Sequence, residues 1–119
     1  MMQSWATFNI RFPKSDQAKW AALVKGLARN EHGAYLEEYA EAFGPKAGAL
    51  IGFVLDEWEK ESERDVIQTR SSKVFPGKAT IDVGGFRSIE PSVQPMVKFL
   101  KACGATDVQV EKQYESDNF

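Results

Sequence analysis

The apolar positions of this chain alternate, then recur at helical spacing, then alternate again, and that rhythm delimits its elements. From Trp5 to Phe12, Ala6, Phe8, Ile10 and Phe12 share one face while Trp5, Thr7, Asn9 and Arg11 share the other. That period of two predicts a half-buried strand, stopped at Pro13. Trp20, Leu23, Val24 and Leu27 then fall at i, i+3, i+4 and i+7, one stripe of a helix running to Arg29, with Ser15 suited to the N-cap and Asp16 to the first turn. Asn30-Glu31-His32-Gly33 reads as a turn. Tyr35 to Phe43 predicts a short helix with Leu36, Tyr39, Ala40 and Phe43 on its apolar side, ended by Gly44-Pro45.

The apolar run Ala47 to Leu55 suits a buried strand as well as a buried helix. Leu50, Ile51, Val54, Leu55 and Trp58 continue at helical spacing, and Asp56 with Lys60 makes a favourable i, i+4 pair, so a helix to Glu63 is expected. Gly48 and Gly52 weaken it and leave room for a neighbouring backbone to approach. From Val66 the period returns to two. Val66–Phe75 and Lys78–Val83 predict a hairpin closed by Pro76-Gly77, a pair fitted to the centre of a type II turn and followed by a break at Gly84-Gly85. Ser88 to Ala102 predicts a helix with Met96, Phe99, Leu100 and Cys103 inward, in which Pro91 and Pro95 are tolerable only in or before the first turn. Gly104 stops it. Thr106 to Tyr114 alternates once more, with Val108 and Val110 inward, before a polar tail.

The expected order is β-α-(α-α)-β-β-α-β. Without the bracketed pair, this is the ferredoxin-like split β-α-β sandwich: an α+β fold with a four-stranded antiparallel sheet and helices on one face. We expect one domain over residues 1–119, with a helical insertion at about 34–63.

Composition adds a distribution of charge. The net charge is −2, yet residues 31–65 hold ten acids against three bases and residues 106–119 four against one, whereas residues 1–30 carry five bases against one acid and residues 66–105 six against two. The insertion is thus the acidic part of the chain, and such segregation steers association with oppositely charged partners. A hydrophobic content of 43% is that of an ordinary globular chain. No apolar run is long enough to cross a bilayer, and the N-terminus lacks the basic and apolar regions of a secretory signal; with a lone Cys103, these features suggest a cytoplasmic protein.

The chain has one histidine, His32, and one cysteine. Most hydrolytic chemistry draws on an imidazole or thiolate working with partners, and structural zinc sites need several such ligands, so neither a catalytic set, a metal site nor a cofactor site is expected. His32, with Glu31, Glu37 and Glu38 near it in sequence, reads as a loop histidine. Gly84-Gly85 matches no phosphate-binding pattern, and Arg87 beside a helix start is at most an anion contact. The carboxylates of 37–63 lack the glycine-punctuated loop of an EF-hand. Cys103, on an apolar stripe near a helix end, reads as a core residue.

Thr7, Asn9 and Arg11, Gln68, Arg70 and Ser72, Lys78, Thr80 and Asp82, and Asp107, Gln109 and Glu111 are expected on the outward sheet face. That face is polar and poor in aromatics, with only Trp5 or Tyr114 able to stack a base, which argues against RNA recognition and for solvation or the pairing of two sheets in a homodimer.

These readings favour a non-enzymatic binding protein. Its most concrete form is an immunity-type inhibitor whose acidic insertion masks a basic, nucleic-acid-handling surface of a toxin or nuclease by steering and occlusion. The expected contacts are Glu37, Glu38, Glu41, Asp56, Glu57 and Glu61, with Tyr35 or Trp58 as aromatic anchors. Two other classes stay open: a small-ligand binder or enzyme of the dimeric sheet type with a pocket near Trp20, Phe86 and Arg87, and a regulator contacting nucleic acid through Arg11, Arg70, Lys73 and Lys78.

Overall fold

The computed structural model describes residues 2–29, 34–58, 67–85 and 88–116, with backbone alone at 2, 3, 34, 35, 57, 58 and 114–116. Its elements are β1 (Met2–Arg11), a 3-10 turn (Lys14–Asp16), α1 (Gln17–Ala28), α2 (Ala34–Glu41), α3 (Pro45–Trp58), β2 (Gln68–Phe75), β3 (Lys78–Gly85), α4 (Glu90–Ala102) and β4 (Asp107–Ser116). The four strands form one sheet in the order β2-β3-β1-β4, with every neighbouring pair antiparallel. This is an α+β architecture, and Ala47–Leu55 lies in a helix.

Alternation sorts the sheet into a core face and an open face. Ala6, Phe8 and Ile10 of β1 and Ala79, Ile81 and Val83 of β3 are buried in one cluster with Leu23, Val24 and Leu27 of α1 and Met96, Phe99 and Leu100 of α4. The inserted helices join the same cluster through Leu36 and Ala40 of α2 and Ala47, Ile51, Val54 and Leu55 of α3. α3 packs on α4, and α2 on α1 and α3.

Side chains and turns fix the joints. The Pro76-Gly77 turn has Gly77 at φ 76°, as the third position of a type II turn requires, and the Phe12 N–H donates to the Gly77 carbonyl at 3.0 Å. α4 ends in a Schellman motif: Gly104 (φ 90°) donates to Lys101 and Ala105 donates back to Leu100. At its other end, the Ser4 hydroxyl of β1 accepts the buried Ile89 N–H at 2.8 Å, a helix cap supplied from the sheet.

Four local expectations are corrected. Ser15 lies within the 3-10 turn, and Asp16 precedes α1 without a side-chain cap bond. Gly84-Gly85 does not break the hairpin. Gly84 pairs with Trp5 inside the sheet, where any side chain would collide with the Trp5 Cβ. Pro95 sits in the second turn of α4, beyond the first turn to which the proline rule confined it; the N–H it lacks is the one that would reach back to the carbonyl of Pro91, a residue exposed to water. A bulge between Thr69 and Ser71 turns Ser72 opposite Ile81 and away from the open face, because one extra residue reverses the side of all that follow. The turn expected at 30–33, the Asp56–Lys60 pair, the end of the helix at Glu63 and the strand start at Val66 lie outside the described residues.

Of the paired glycines of α3, Gly48 accommodates the Glu41 stem, whereas nothing stands within 4 Å of a Cβ at Gly52. In α1, a Cβ at Gly26 would meet the Tyr39 ring at 2.6 Å. Relative to alanine, an interior helical glycine costs about 1 kcal/mol, while overpacking costs about 1–3 kcal/mol. Urea unfolding should therefore separate the two: Gly52→Ala raises stability by about 0.5–1 kcal/mol, whereas Gly26→Ala lowers it by about 1–2 kcal/mol despite the same gain in propensity.

Candidate functional site

The amphipathic period of α2 buries Leu36 and Ala40 and turns Glu37, Glu38 and Glu41 to solvent. Asp56 is exposed near the far end of α3, about 12 Å along its axis from Gly48, on which Glu41 rests. Tyr35 lies in the first turn of α2, and Glu57 and Trp58 end α3. Glu61 and His32 lie outside the described residues, as do Glu31, Phe86 and Arg87. Four of the expected carboxylates are thus solvent-facing on the inserted helices.

Between Asp56 and Lys46, α3 also exposes an aromatic that periodicity did not single out. Phe53 is 62% exposed. It follows Ala49 by four residues and precedes Asp56 by three, and all three are exposed, so they form the outward stripe of the helix. In sequence, Phe53 is one letter in an apolar run. Only the direction of the stripe, set by the burial of Ala47, Ile51 and Val54, shows that the ring faces water.

The insertion is not uniformly acidic. Lys46 of α3 with Lys98 and Lys101 of α4 edges a hollow of about 410 Å³ floored by Leu50 and Ala102. Of the residues named for a pocket near Trp20, Phe86 and Arg87, only Trp20 is described: it is fully buried, stacked on Phe12 at 4.9 Å between ring centroids and tilted against Phe43 at 5.2 Å.

The open sheet face is more ordered than its polar letters suggest. Arg70, the bulge residue, lies over the Trp5 ring at 4.0 Å and pairs with Asp82 at 2.9 Å. The Trp5 indole N–H donates to Gln113, Thr7 Oγ1 to Asp82 at 3.4 Å and Thr80 Oγ1 to Asn9 at 3.1 Å. Because the bulge resets the register, Lys73 and Phe75 share this face with Arg11 and Lys78. Phe75 is 43% exposed, with the Lys78 ammonium 5.4 Å from its centroid. A hollow of about 540 Å³ runs across this end from Phe75 past Arg11 to Asp107 and Glu111. Arg11, Arg70, Lys73 and Lys78 therefore do share a surface, but Asp82, Asp107 and Glu111 stand on it too.

Among the described residues, no group of three or more His, Cys, Asp or Glu side chains gathers as a metal site, and no helix is long and apolar enough to cross a membrane. The chain matches no family model, no curated protein and no solved structure.

Cys103 is buried at the end of α4, and desolvation pushes its thiol up to about 12 from 9.0. The unfolded thiol ionises above about pH 9 while the folded one stays protonated, so the native state binds the extra proton. That contribution to stability is complete below pH 9 and is lost as pH rises toward 12. At pH 8, a disulfide reagent should leave the folded protein unlabelled and titrate one thiol after denaturation; prompt labelling without denaturant would contradict the burial.

Proposed function

We propose that this chain is a small non-enzymatic binding protein of the ferredoxin-like, split β-α-β kind, in which α2 and α3 are an insertion that docks a basic protein partner. The order β4-β1-β3-β2, antiparallel throughout and with helices following β1 and β3, supports the fold reading. Phe53 carries the functional one. A phenyl ring left 62% in water, with Asp56 less than a turn away, has the makings of an interface anchor, and the exposed Glu37, Glu38 and Glu41 of α2 supply a field that attracts cations.

The most concrete partner is the basic surface of a toxin or nuclease, which an immunity-type inhibitor would mask. Carboxylates would accelerate encounter, Phe53 would slow release by burying its ring, and the bound insertion would deny nucleic acid the occupied surface. Phe53 would anchor alongside Tyr35 or Trp58, the aromatic candidates at the ends of the same two helices. Such a protein would act in the cytoplasm, where a lone cysteine stays reduced.

Immobilised protein exposed to extract from cells that express it should retain a basic protein at low salt and release it at high salt. Reversing Glu37, Glu38 and Glu41 to lysine should slow association about tenfold at low ionic strength and little at high, whereas Phe53→Ser should mainly hasten dissociation. Retention insensitive to both changes and to salt would overturn the proposal.

A further inference from the structure

On the open sheet face Asp82 is paired with Arg70 and Arg11 stands in register with Asp107, and the charges at the two edges differ in sign. Arg70 and Lys73 stand on β2 with Lys78 beside them on β3, and Asp107 and Glu111 stand at the opposite edge on β4. A polyanion laid across this face would be repelled by its β4 edge. A second copy of the same face would not be, provided that the two are related by the right symmetry operation.

We infer that two copies pair through this face about a two-fold axis that runs parallel to the strands between β1 and β3. Face-to-face sheets in an isologous dimer allow two simple choices of axis. An axis across the strands sets β2 on β2 and β4 on β4, basic on basic and acidic on acidic. An axis along the strands sets β2 of each copy on β4 of the other. It keeps the level along the strand, so Lys73, in register with Thr80 and through it with Asn9 and Gln109, comes between Asp107 and Glu111 of the second copy. Charge thus selects the axis.

Shape agrees with this choice. Phe75 stands on the β2 side of the 540 Å³ hollow and Asp107 on its β4 side. The operation that exchanges β2 and β4 brings each Phe75 over the β4 rim of the other copy's hollow, taking a 43% exposed ring out of water. The same operation brings Arg11 and Lys78 toward their counterparts at that end, a repulsion offset by Asp107 in the same row. With strands about 4.8 Å apart and about 3.3 Å per residue, four strands of eight residues give a footprint of roughly 500 Å² per copy. A pair would then bury about 1,000 Å², the lower bound of specific interfaces, so micromolar self-association is expected. The pairing leaves α2 and α3, on the helical side, free for a partner, and it stands or falls independently of the docking proposed above.

Sedimentation velocity over about 1–500 µM protein, a range that brackets such an affinity, should show the full chain passing from monomer to dimer. Lys73→Glu alone and Glu111→Lys alone should each weaken the dimer at least about tenfold while circular dichroism and melting temperature stay near wild type. Mixing the two variants in equal amounts should restore a heterodimer, because the opposed charges are again complementary on both sides of the axis. A wild type that remains monomeric throughout, or variants that dimerise like wild type, would overturn the inference. So would monomeric wild type binding single-stranded oligonucleotide through Lys73 and Phe75, since the face would then serve a polyanion.

Discussion

The placement of the inserted helices depends on three packed rings, one pair stacked and one tilted. Phe12 directly follows β1, Trp20 lies in the first turn of α1 and Phe43 lies where α2 turns toward α3; their ring centroids step across at 4.9 and 5.2 Å. A fully buried aromatic removes about 150–250 Å² from water, about 4–6 kcal/mol at the usual coefficient, and well-set ring pairs add about 0.5–1.5 kcal/mol each. The Trp20 indole N–H finds no acceptor among the described residues, a cost of about 1–3 kcal/mol. Burial outweighs that cost, so the joint rests on packing, and packing fixes which sides of α2 and α3 remain outside.

From that orientation follow two surfaces of different character. On the helical side, Glu37, Glu38, Glu41 and Asp56 are exposed because the opposite faces of their helices are committed to the core, and Phe53 is carried outward on the same rotation. On the sheet side, Trp5, Arg70, Asp82 and Gln113 are linked by a cation-π contact, an ion pair and a hydrogen bond, while the end bearing Phe75, Lys78 and Arg11 is an open hollow. Surface pairs such as Arg70–Asp82 contribute little stability, about 1 kcal/mol or less. Their effect is to hold the Arg70 guanidinium over the Trp5 ring.

The α+β class was legible because burial repeats at 2 on the strands and 3.6 on the helices, and the stripes Trp20-Leu23-Val24-Leu27 and Met96-Phe99-Leu100-Cys103 are the buried ones. What the letters hid depends on contacts between distant segments. The bulge at Arg70 belongs to the pairing of β2 with β3, so no local pattern could show that Ser72 leaves the open face while Lys73 and Phe75 join it. Gly84 reads as a break until Trp5 is known to lie against it across the sheet. Ser15 gives way to a 3-10 turn, and Ile89 is capped from β1, because tertiary contacts override local preference at helix starts. The acidic residues of α2 and α3 were legible as letters; the outward Phe53 and the gathering of Lys46 with Lys98 and Lys101 of α4 were not.

The most direct test of this account is whether the insertion and the sheet open together, which native-state hydrogen exchange measures residue by residue. If the aromatic joint and the shared core hold α2 and α3 in place, the amides of Ile51 and Val54 should exchange with opening free energies near those of Phe8 and Ile81, and the four should fall together in denaturant. Exchange at Ile51 and Val54 that is orders of magnitude faster, while Phe8 and Ile81 stay protected, would mean that the inserted helices are only loosely attached and that no fixed surface is presented on them.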